Sequence, residues 1–111
     1  MEESLNRKFA ALADPTRRAI LARLARGEAS VAELSMPFQM SQPAISKHLK
    51  VLELAGLIEA GQAAKARPRR LRREAISEPA KWLEMLGGDW DAKFDRLDAF
   101  LAKLDNGETN V

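Results

Sequence analysis

The chain has 111 residues, 46% of them apolar and 31% charged, with no cysteine and a formal net charge of +2. That length carries one domain with one core, and that balance suits a soluble globular fold rather than a disordered one. The missing cysteines exclude a disulfide scaffold and any thiolate metal or redox site, and no apolar run approaches the roughly 20 residues that a membrane helix needs.

Helical punctuation dominates the first half. Leu5, Phe9 and Leu12 recur at helical spacing and predict an amphipathic helix over 4–13. Asp14-Pro15 then reads as an N-cap followed by proline at the first helical position, where its missing N–H costs nothing. This second helix runs through Ile20, Leu21 and Leu24 and stops near Gly27. Ser30-Val31-Ala32-Glu33 matches a capping box and opens a short third helix, which Pro37 should end. Ser41 is the next N-cap, Pro43 suits the first turn, and the fourth helix should reach Ala55, with Gly56 as its stop.

The pattern then changes. Leu57-Ile58-Glu59-Ala60 reads as a strand, residues 61–68 as a hairpin tip, and Arg69-Arg70-Leu71-Arg72-Arg73 as a return strand of poor β-propensity. Ser77-Glu78-Pro79 reads as another helix start, with the helix running to about Leu104 through a kink or break at Gly87-Gly88. The tail 105–111 is polar, and no repeat or linker divides the chain.

Charge is unevenly placed along this order. Residues 1–40 carry a net +1, residues 41–74 a net +5, and residues 75–111 a net −4. A basic centre suggests a polyanionic partner. The opening Met1-Glu2-Glu3-Ser4 is acidic and lacks an apolar signal core, so the expected location is the cytoplasm.

Two short helices, a tight connection and a Ser-capped helix describe a helix-turn-helix. On the fourth helix Ile45, Leu49 and Leu52 form the stripe that should face the core. Pro43, Lys47 and Lys50 lie opposite, flanked by Gln42 and Ser46. The exposed face thus offers an amide, a hydroxyl and two ammonium groups. Gln can bond bidentately to adenine, Lys can reach guanine acceptors, and Ser is a permissive partner. The free N–H groups at the Ser41 end suit a phosphate. Lys65, Arg67, Arg69 and Arg70 in the wing are placed for the DNA backbone, which supplies affinity and register. The alternative for that cluster is a solvated loop. His48 sits beside the buried arc and is expected to serve the scaffold. Arg17 either touches phosphate or is an ordinary surface arginine.

Asp14-Pro15-Thr16-Arg17-Arg18-Ala19-Ile20-Leu21, then Ser41 through Leu52, then Ala55-Gly56-Leu57-Ile58 resemble the ArsR family of winged-helix repressors. The resemblance covers roughly residues 4–104. The ending, with Trp82-Leu83, Asp89-Trp90 and Phe94 through Asp98, resembles the metal-independent, autorepressor-like branch. It implies a homodimer on a near-palindromic double-stranded DNA operator, with Gln42, Ser46 and Lys47 facing bases and the wing on the backbone. Some family members sense metal through a Cys-x-Cys pair on the third helix, where this chain has Ser30 and Ala32, or through histidines on the last helix, where it has none. Asp89, Asp91 and Asp95 remain, but soft and borderline metals favour thiolate and imidazole. No metal and no cofactor are therefore expected.

Trp90, Phe94, Leu97, Leu101 and Leu104 recur at steps of four and three, a stripe larger than a three-helix head needs. The same helix of a second copy is the natural cover, with Leu5, Phe9 and Leu12 adding area. Folding back onto its own domain is the alternative. For an enzyme there is no nucleophile elbow, phosphate loop or histidine pair.

The reading is a mainly α fold with a small β-hairpin wing: one winged helix-turn-helix domain over 1–111, with dimerisation helices at 4–13 and 78–104, the helix-turn-helix at 30–55 and the wing at 57–74. The expected function is a sequence-specific, non-enzymatic DNA-binding repressor. The alternatives are a ligand-gated repressor, with a small-molecule pocket at the dimer interface near Trp82 and Trp90, and a winged-helix protein-interaction module.

Overall fold

Local caps set the order of elements. In the computed structural model, which describes residues 2–61, 67–87, 96 and 98–102, the elements run α1 (Glu2–Leu12), α2 (Pro15–Leu24), α3 (Val31–Ser35), α4 (Gln42–Leu54), β1 (Ile58–Ala60), β2 (Arg69–Leu71) and α5 (Arg73–Gly87). A 3₁₀ turn at Met36–Phe38 follows α3. The contacts divide the chain into two units, Met1–Pro79 and Ala80–Val111, and the boundary falls inside α5.

Each cap acts as its residues predict. Asp14 accepts from the Arg17 N–H at 3.0 Å ahead of Pro15. Ser30 and Glu33 exchange the reciprocal bonds of a capping box. Ser41 accepts from the Ala44 N–H at 3.2 Å. At the far end of α4, Gly56 adopts φ +77° and its N–H donates to the Glu53 carbonyl. The Leu57 N–H donates to the Leu52 carbonyl at 3.0 Å, which completes a Schellman motif and turns the chain into β1. The helix-turn-helix connection needs a left-handed residue too, and Gln39 supplies it at φ +53°.

The core of the first unit is built from Ile20, Leu34, Ile45, Leu49, Leu52, Leu57 and Ile58, all nearly fully buried. Each such side chain contributes about 1.5–3 kcal/mol relative to exposure. Ile45, Leu49 and Leu52 are the three buried residues of α4, and they fix which face of that helix looks outward. The hairpin pairs β1 and β2 antiparallel, with Ile58 opposite Leu71, Glu59 opposite Arg70 and Ala60 opposite Arg69. An isolated bridge joins Ala29 to Arg69, which ties the wing to the residue before the α3 cap.

The start of α5 differs from the expectation at Ser77-Glu78-Pro79. The helix begins four residues before Ser77, at Arg73, directly after β2. The Ser77 hydroxyl donates back to the Glu74 carbonyl at 2.8 Å instead of capping a new helix. Pro79 is then an interior residue of α5. Gly87 ends the element, and the suggested break at Gly87-Gly88 runs outside the described residues.

Leu5 is buried within the first unit, and Leu12 packs against its core. Buried Lys8 forms an ion pair with Glu78 at 2.9 Å and so holds α1 to the start of α5. The Lys8 ammonium, helped by the Ser4 hydroxyl, lowers the Glu78 pKa below the usual glutamate value.

Candidate nucleic-acid interface

The outward face of α4 follows from its buried one. Gln42, Pro43, Ser46, Lys47 and Lys50 are all exposed, and Ser41 precedes them as the cap. Lys47 and Lys50 have no carboxylate partner among the described residues. A cleft of about 440 Å³ opens between this face, the start of α3 and the wing, lined by Ser30, Val31, Ala32, Gln42, Ser46, Arg67 and Arg69. The fold therefore brings the Gln42 amide and Ser46 hydroxyl of α4 within one concave surface with wing arginines, although about 25 residues separate them in the chain.

The four wing cations do not stand alike. Arg67 is exposed and has no carboxylate partner among the described residues. Arg70 points outward, its side chain 60% exposed, and is bound to Glu59 by two guanidinium nitrogens at 2.6 and 2.9 Å. Arg69 points inward, its side chain 15% exposed, and its Nε donates to Glu53 of α4 at 2.6 Å. Its guanidinium also donates to the Arg67 carbonyl. Lys65 lies outside the described residues. Residue composition ranked these cations alike, but strand parity separates them. Arg69 and Leu71 share one face of β2 and Arg70 the other, so the partly buried Leu71 was the available signal.

His48 and Arg17 belong to one network away from the outward face of α4. The Arg17 guanidinium donates to the Ala11 carbonyl at 2.8 Å and to the Ala10 carbonyl at 3.2 Å. Arg18 donates to the Leu12 carbonyl at 2.7 Å. These arginines satisfy the last carbonyls of α1, which has no basic residue of its own in that turn. A further Arg17 nitrogen lies 3.4 Å from His48 Nδ1. Asp14 lies 3.9 Å from the same Nδ1. Its carboxyl is held below the ordinary aspartate value, chiefly by the Arg17 backbone N–H and further by His48 and the Arg17 charge. This half-buried histidine links α4 to the α1–α2 junction.

Of the residues expected at a dimer interface, Trp90, Phe94, Leu97 and Leu104 lie outside the described residues. Phe9 is half-buried, while Leu101 is exposed, as are Met85, Leu86 and Phe100. The aspartates considered for metal, Asp89, Asp91 and Asp95, are outside the described residues as well, as is Trp90 of the suggested ligand pocket. A separate apolar cleft of about 380 Å³ lies elsewhere, between α1 and α4, lined by Arg7, Ala10, Val51, Leu54 and Ala55. No helix among the described residues is long and apolar enough to cross a membrane.

Comparison with known proteins places this geometry. The model of the bacterial regulatory proteins of the arsR family matches residues 14–60, which contain both helix-turn-helix caps and β1. A solved ArsR family transcriptional regulator is 41% identical, with a TM-score of 0.71 over 79% of this chain and 97% of that one. The chain belongs to the ArsR family.

Further relatives are transcriptional regulators by name. An HTH-type transcriptional regulator of Mycobacterium tuberculosis is 53% identical over 55 residues, half of this chain and 51% of that protein. The transcriptional repressor SdpR of Bacillus subtilis is 41% identical over 54 residues, 49% of this chain and 60% of that protein. These alignments thus span little more than half the length of the curated relatives. A homodimeric winged helix-turn-helix DNA-binding domain from Mycobacterium bovis has a TM-score of 0.62 at 26% identity, over 85% of this chain and 84% of that one. The family and the relatives are regulators, not enzymes, and the fold is the mainly helical winged helix-turn-helix with a two-stranded wing.

Proposed function

We propose that this ArsR-family protein is a sequence-specific DNA-binding transcriptional repressor that occupies a near-palindromic operator as a cytoplasmic homodimer. The observation that carries the reading is the exposed Gln42, Ser46, Lys47 and Lys50 face of α4, set across a cleft from Arg67 of the wing. In this reading α4 enters the major groove by its N-terminal turns. Gln42 reads a base edge bidentately with Ser46 beside it, and the Lys47 ammonium lies between the base edge and the flanking phosphate. Ser41 and Pro43 shape the helix start, whose partial positive charge favours a phosphate. Lys50 and the wing cations Lys65, Arg67 and Arg70 hold the backbone and set the register.

Glu59 holds Arg70 in an exposed pair, which is worth about 1 kcal/mol or less. That pair exchanges readily for a phosphate. Two heads are needed because half-sites recur about one helical turn apart. The homodimeric Mycobacterium bovis relative supports a second copy. The residues proposed for the contact are Phe9 of α1, with Leu5 and Leu12 supporting α1 from inside, and, from the C-terminal sequence stripe, Trp90, Phe94, Leu97, Leu101 and Leu104, of which Leu101 is exposed, as are Met85, Leu86 and Phe100. Bound across a promoter, the dimer excludes polymerase sterically in this reading; a repressor role is supported by the relative SdpR, which is named a transcriptional repressor.

Titration of the purified protein against the DNA upstream of its own gene, at two salt concentrations, tests the reading. Specific binding that weakens steeply with salt is expected. Absence of a specific complex, or of salt dependence, would refute it.

A further inference from the structure

We propose that Arg69 is a positioning residue that locks the wing to the helix-turn-helix, rather than a ligand of the DNA backbone. The inference rests on the DNA-binding reading and deepens it. Arg69 touches three parts of the first unit at once. In the hairpin it stands opposite Ala60. Its main chain exchanges two hydrogen bonds with Ala29, at 2.7 and 3.1 Å, immediately before the α3 cap Ser30. Its side chain reaches Glu53 at 2.6 Å in the last turn of α4.

The chemistry of Glu53 explains why the guanidinium stays there. A carboxylate in the last turn of a helix faces the negative end of the helix dipole and needs a cation. Glu53 is only 30% exposed, so water compensates it incompletely. Pulling Arg69 toward a phosphate would leave this half-buried charge without its partner, a loss far larger than breaking an exposed pair. The neighbouring Arg70–Glu59 pair costs less to open, since Arg70 is 60% and Glu59 43% exposed and Glu59 keeps Arg72 within 4.0 Å. Arg69 therefore spends its charge on geometry. It holds the wing, the α3 start and α4 in one register, so that Arg67 faces Gln42 and Ser46 across a cleft of fixed width.

The two roles predict opposite signs for one substitution. If Arg69 is a lock, Glu53→Gln lowers operator affinity. If Arg69 is a phosphate ligand, Glu53→Gln frees it and raises affinity. We would measure wild type, E53Q, R69A and the double variant against operator and scrambled duplexes over a salt series. Thermal melts would confirm folding, and amide exchange would be followed without DNA.

The expected result is a roughly tenfold loss of operator affinity in each single variant, within the range that coupled neighbours span. The double variant should be no weaker than R69A, and the salt slope should stay at its wild-type value. Exchange at the Ala29 and Arg69 amides should accelerate in both singles, while both melt at a lower temperature than wild type but stay folded at the temperature of the binding assay. Tighter binding by E53Q, or a slope flattened by R69A, overturns the lock. Should wild type fail to bind its DNA, the functional reading falls separately, and unchanged amide protection in E53Q would still refute the lock.

Discussion

Lys47→Ala is the sharpest test of how the proposed interface is charged. Lys47, Lys50 and Arg67 have no carboxylate partner among the described residues, and Arg70 is held only by an exposed pair. Counting those four cations on each head, and leaving aside Lys65, which lies outside the described residues, gives about six to eight phosphate contacts for a dimer, depending on whether Arg70 exchanges. At about 0.9 per contact, the logarithm of affinity should fall with the logarithm of salt with a slope of about −5 to −7. A rise from about 50 to 200 mM salt then costs roughly 10³- to 10⁴-fold in affinity. Lys47→Ala removes one cation per head and should flatten the slope by about 1.8, so that wild-type and variant affinities approach each other by roughly tenfold over that range. Fluorescence anisotropy with a labelled operator at four or more salt concentrations reads this directly. A Lys47→Ala slope equal to the wild-type slope within about half a unit would refute the assignment of that ammonium to phosphate or base contact.

Three further outcomes follow from the same geometry. Gln42→Ala should cost about 1–3 kcal/mol on the operator and almost nothing on scrambled DNA, and a panel of single base-pair changes should show the lost preference confined to one position per half-site. Gly56→Ala forces a Cβ into a φ of +77°, while the nearest side-chain atom, of Arg72, stays 3.7 Å away; backbone strain alone should then destabilise the protein by about 1–2 kcal/mol, measured by urea unfolding. For Asp14 the pKa is depressed in the fold, so its stabilisation is complete above the ordinary carboxylate range and is lost as pH falls through the lowered value. The stability gap between wild type and Asp14→Asn should therefore narrow in acid, and a gap that widens there would contradict the cap and the His48 and Arg17 charges as its source.

The lock proposed for Arg69 changes how wing variants are to be read. Loss of binding on replacing a wing arginine does not by itself mark a backbone contact, because an inward arginine acts through the position of its neighbours. The distinction lies in the salt slope, which counts displaced ions and is blind to misplacement. Arg67 and Arg70 should change the slope, and Arg69 should not.

Much of this protein was legible without its fold. The caps at Asp14, Ser30 and Ser41 and the stop at Gly56 are interactions over three to five residues, so the local sequence contains both partners. The stripe of Ile45, Leu49 and Leu52 follows from helical period alone, and the exposed face opposite it comes with no further information. The hairpin was found from its turn composition despite the arginines of β2. What only the tertiary structure decided are the pairings between distant residues. Arg69 meets Glu53 across 16 positions, Arg17 meets His48 across 31, and Lys8 meets Glu78 across 70. The start of α5 belongs with these, since the backbone bond from Arg72 to Leu57 and the Ser77 back-bond replaced the cap that its residues suggested. Periodicity records which face of an element is apolar. It does not record which of several like charges on that element will find a carboxylate, because that depends on what the fold carries to within hydrogen-bonding reach. For the wing arginines, that difference separates an inward lock from outward contacts.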